Sequence, residues 1–141
     1  MTAWADPPPF YVQRALALLG RTVDGDRVQD VLAVAASVLP SEDDRNGKSW
    51  AIAGHGRAGV IAAYAAILES RFAEVGLVDP PVTHRDGPIL LNVLRVLDIP
   101  EALGLLAPRP VRVYTGRPEA FERTASIHRA AGGVFEARPL P

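Results

Sequence analysis

The chain has 141 residues, of which 48% are hydrophobic, with a net charge of −1 and no cysteine. This is enough for one buried core and too little for two domains. It gives no electrostatic pull toward nucleic acid or an anionic membrane. Disulfides, thiolate catalysis and cysteine-based zinc sites are excluded together.

Residues 1–9 read as an extended lead-in because Pro7-Pro8-Pro9 is stiff, and residues 10–141 read as one domain. MTAWADPPPF is not a charged start followed by an apolar core, so no signal peptide is expected and the default compartment is cytoplasmic. No apolar run reaches the ~18 residues of a membrane span. Phe10, Val12, Ala15, Leu16 and Leu19 recur at helical spacing up to Gly20. Asp24 or Asp26 then caps a second helix, whose stripe of Val28, Val31, Leu32, Ala35 and Val38 ends before Pro40. Ser41 to Lys48 is a polar loop.

Ser49 to Leu68 organises the rest. The apolar run Trp50 to Ala53 is a strand, Gly54, Gly56 and Gly59 form a turn, and an alanine-rich helix follows. Tyr64 on that helix is expected to pack. Phe72 to Asp79 is a second strand ended by Pro80-Pro81. A loop through His84 leads to a mixed apolar stretch, and a short helix starts at Ile99. Val111 to Tyr114 is the third strand, Pro118 opens a helix, and Val134 to Ala137 is an edge strand. From Trp50 the alternation β, α, β, α, β, α, β calls for a mainly parallel sheet of about four strands with flanking helices.

The turn Gly54-His55-Gly56-Arg57-Ala58-Gly59 fits two chemistries. As G-x-G-x-x-G it is a dinucleotide fingerprint, with Asp79 as the acidic residue after the next strand. As a nucleophile elbow it has Gly56 where the serine stands. Almost fifty residues of helix and loop before the first strand count against the dinucleotide reading. The tentative crevice comprises Gly54, His55, Gly56, Arg57, Gly59, Asp79 and His84.

Arg27 to Leu32, the elbow-like turn, Asn92-Val93-Leu94-Arg95-Val96-Leu97-Asp98-Ile99-Pro100 and Leu106-Ala107-Pro108-Arg109-Pro110-Val111 together resemble one family. They are similar to the C-terminal half of acetyl xylan esterase-like and dienelactone hydrolase-like α/β-hydrolases, over roughly Phe10 to Gly133. The resemblance implies a partial α/β-hydrolase-like three-layer sandwich carrying the last four strands of the hydrolase sheet. The family's first half, with its oxyanion loop, has no counterpart here.

The resemblance also implies a catalytic triad, which can be tested position by position. Gly56 holds the nucleophile position and Pro118 the acid position. Glu119 is a weak substitute, because adjacent helical positions point in different directions. No histidine follows the last strand. Among those present, His55 lies in the elbow, His84 borders a pocket or is a plain surface histidine, and His128 is structural. No histidine pair has metal-ligand spacing, and neither a metal nor a cofactor is expected.

The expectation is a degenerate, inactive hydrolase-like module that binds or supports. Its partner would be a second copy, or a chain or domain supplying the missing half. The alternatives are an esterase in which water attacks over the Gly56 turn, and a dinucleotide-binding module.

Overall fold

The computed structural model describes residues 11–40 and 49–140. The lead-in over residues 1–9, Phe10 and the Ser41 to Lys48 loop lie outside the described residues.

The helices are α1 (Tyr11–Leu18), α2 (Val23–Val38), α3 (Gly56–Leu68), α4 (Ile99–Gly104) and α5 (Glu122–Ala130). The strands are β1 (Trp50–His55), β2 (Phe72–Val78), β3 (Val111–Tyr114) and β4 (Phe135–Arg138). Short 3-10 turns cover Val93–Arg95 and Pro118–Phe121. All four strands are parallel, in the order β1-β2-β3-β4. This is the α/β fold expected from the alternation.

A sequential order of parallel strands joined by right-handed crossovers puts every crossover helix on one face. Burial agrees. Val75 and Leu77 of β2 and Val111 and Val113 of β3 are fully buried, in one core cluster with Val60 and Ala63 of α3, Leu103 of α4 and Phe121. Alanines at 63, 65 and 66 let α3 lie close to the sheet and to α2. Beneath α2, Val28, Ile61 and Ala65 form a smaller cluster.

The opposite face of the sheet is open. At β1 it presents exposed Ala51, Ala53 and His55. At β2 to β4 it carries a charged ladder in which Arg112 pairs with Glu74 and lies 3.7 Å from Glu136, itself 2.8 Å from Arg138. Among the described residues, no helix is long and apolar enough to cross a membrane.

Two local expectations are corrected. The N-cap of α2 is Thr22, whose hydroxyl accepts from the Gly25 amide at 2.9 Å, and not Asp24 or Asp26. Asp24 is instead buried, accepting from the Ile89 amide at 2.7 Å and pairing with Arg27. Gly54 and His55 belong to β1, so the turn begins at Gly56.

The contact of α4 with α5 contains one fully buried hydroxyl, Thr124 Oγ1, which donates to the Pro100 carbonyl at 2.7 Å. Thr124→Val keeps the shape and removes the second bond to a carbonyl that also accepts within α4, so urea unfolding should show a loss of about 0.5–1.5 kcal/mol.

Candidate functional site

The elbow is built by backbone contact. A Cβ on Gly54 would lie 2.7 Å from both N and Cα of Gly59, and a Cβ on Gly59 would lie 2.7 Å from the Gly54 carbonyl oxygen. Only two glycines let β1 and the first turn of α3 cross this closely. Gly56 has φ +56° and open space around its missing side chain. The strand-to-helix turn therefore passes through a left-handed residue, and at its apex there is no side chain.

His55 and Val78 form the last paired row of β1 and β2, so Gly56 and Asp79 are the first residues past the sheet on neighbouring strands. Both have positive φ, with Asp79 at +45°. The Asp79 amide donates to the Tyr114 carbonyl at 2.7 Å, which fixes this corner. His55 caps α3 without a side-chain bond. By strand alternation its ring lies on the open face with Ala51 and Ala53, away from the turn's apex. Arg57 is exposed, and its Nε donates to the Asp86 carbonyl at 3.2 Å.

His84 is 6% exposed, which corrects the surface reading. Its Nδ1 lies 2.8 Å from the Pro88 carbonyl and its Nε2 2.8 Å from the Tyr64 hydroxyl. A carbonyl only accepts, so Nδ1 carries a hydrogen, and the Tyr64 hydroxyl takes up the other ring nitrogen. It does border a cleft of about 240 Å³ that Pro88, Asn92, Val93 and Arg95 also line.

Tyr64 therefore does more than pack, since it anchors the loop to α3. Burial, and then the charge of Asp98, push its pKa up to about 12.

The centre of this loop is Asp98, which the sequence reading overlooked. Its carboxylate accepts from Thr83 Oγ1 at 2.6 Å, from the His84 amide at 2.8 Å and from the Ile99 amide at 2.8 Å. It also caps α4 in a capping box with Glu101. The signal was legible as Asp-x-x-Glu, with Pro100 in the first turn. Burial raises the Asp98 pKa, but the hydrogen bonds from Thr83, His84 and Ile99, with the His84 ring, outweigh it and hold it below 3.8.

The other positions singled out by the resemblance stand apart. Pro118 and the exposed Glu119 line a different cleft, of about 270 Å³, between the 3-10 turn and β4. They follow β3, two strand spacings or roughly 10 Å from β1. His128 is 1% exposed, and its Nε2 bonds the Leu103 carbonyl at 3.2 Å. The structure thus brings together Gly54, Gly56, Gly59 and the Asp79 corner, and leaves His84, Glu119 and His128 elsewhere. Among the described residues, no cluster of three metal-ligating side chains occurs.

What the elbow can do chemically is offer first-turn amides of α3 to an anion or a carbonyl oxygen. Its apex residue, Gly56, has no side chain to act as a nucleophile, and Asp79 holds the neighbouring corner. The chain matches no protein-family model and no curated protein.

Proposed function

We propose that this chain is a non-catalytic α/β-hydrolase-like module, related to carbohydrate acetyl esterases, that works by binding a partner through its unfinished sheet. The observation that carries the reading is Gly56, at φ +56° on an elbow with no side chain at its apex. Pro118 at the acid position and the full hydrogen bonding of His84 support it. The partner is a second copy or another chain that completes the sheet beyond β1.

The dinucleotide reading draws on the same glycines and on Asp79. Against it, β1 is an edge strand among the described residues, so they build no reversal of strand order and no crevice of the kind that holds a dinucleotide.

The test is hydrolysis of an activated aryl acetate by the parent chain and by Gly56→Ser. Both should stay at the buffer rate, because a serine without a base gains nothing at neutral pH. Turnover by the parent, lost on changing Arg57 or Asp79, would overturn the reading in favour of a serine-independent esterase.

A further inference from the structure

β1 is hydrogen-bonded on one side only among the described residues, so alternate N–H and C=O groups between Trp50 and His55 face outward unpaired. The strand has no proline, lysine or acidic residue, the devices that usually blunt such an edge. On the helix-covered side of this edge runs an apolar groove of about 380 Å³. Trp50, Ile52 and Phe72 form its sheet wall, and Val31, Val34 and Val38 of α2 its outer wall. α2 packs on α3, which itself covers β1 and β2, and its side chains face the groove opposite the sheet residues. Val34 and Val38 remain 61% and 60% exposed.

These features ask for one kind of occupant. Outward amides need a backbone, and the groove needs large apolar side chains on one side of that backbone. We infer that the edge and groove receive a β-strand donated by another protein chain, extended along β1 beneath α2, with large apolar residues at every second position. This rests on the reading of the chain as a module that completes its sheet with a partner, and it names that partner's chemistry.

A second copy fits less well. Paired strands lie about 4.8 Å apart, whereas helices pack 8–10 Å apart. Two β1 edges brought together would therefore bring the α2 walls of their two grooves against each other. The other free edge, β4, is four residues long, carries Glu136 and Arg138, and runs into Pro139.

The probe is a capped peptide of about ten residues in which valine alternates with threonine between terminal lysines. Its control has proline at alternate positions and cannot form the ladder. The whole chain should bind the first peptide saturably, with a change in tryptophan emission and slowed amide exchange along β1. The proline peptide should bind at least tenfold more weakly. Val38→Asp and Val34→Asp, both at exposed positions and checked for folding by far-UV circular dichroism, should each lose at least tenfold. Val96→Asp, at a position 83% exposed outside the groove, should bind like the parent.

Absence of saturable binding by the folded chain, or equal binding of the proline peptide, would overturn the inference. So would concentration-dependent dimerisation that protects the same amides, which would make a second copy the occupant. Ester turnover by the parent would instead overturn the non-catalytic reading and leave strand binding untouched.

Discussion

Gly54→Ala is expected to cost about 3 kcal/mol or more, a fall in Tm of roughly 10–15 °C for a chain of this size. The added Cβ meets N and Cα of Gly59 at 2.7 Å and the Ala58 carbonyl carbon at 2.9 Å. All three are backbone atoms in the first turn of a helix, so no rotamer change relieves the clash. β1 and α3 must separate, and that opens the packing of Leu77 against Gly59. Gly56→Ala provides the contrast. Its Cβ meets nothing, and only the left-handed φ of +56° opposes it, at about 1–2 kcal/mol. Thermal unfolding of the two variants beside the parent should rank them in that order. Equal losses would mean that the elbow's crossing is not the tight contact described.

Asp98→Ala is the second large effect, expected at about 2–4 kcal/mol by urea unfolding. It strands the Thr83 hydroxyl and the His84 and Ile99 amides, and it removes the cap of α4. The loop carrying His84 then loses its attachment to α4 and keeps its bonds to Tyr64, Arg57 and Asp24. The acid dependence has a definite sign. The folded pKa of Asp98 lies below its ordinary value of 3.8. Its contribution is therefore present above that value and lost as pH falls through the lower folded pKa. Asp98→Asn should flatten the acid limb of stability below about pH 4 and leave the neutral region's slope unchanged. An unaltered acid limb would place the sensitivity in other carboxylates.

The strands and helices were legible because the apolar runs at Trp50, Val75 and Val111 alternate with helical stripes and are punctuated by glycine and proline. β4 is offset by one residue, since Val134 precedes the observed strand and Arg138 extends it. The elbow was legible from glycine spacing alone. The role of Gly54 was not, because a glycine required for close approach inside a strand is spelled like one required for a turn.

The His84 network escaped for a different reason. Tyr64, the segment from His84 to Pro88, and Asp98 are distant in sequence and meet only when the loop folds back on α3. A histidine in a polar loop gives no sign of burial before that happens. The α2 wall of the groove was equally hidden, because the apolar stripe that buries Val28 and Ala35 also includes Val38, which the fold leaves in that wall.

Residue-resolved amide exchange on the isolated chain, followed along β1 and β2, tests the central claim most directly. An edge strand protects every second amide, whereas a strand flanked on both sides protects them all. The account predicts alternating fast and slow exchange from Ala51 to His55, against continuous protection from Val75 to Val78. Uniform protection along β1 in the isolated chain would contradict it, because the edge assigned to a partner would already be covered.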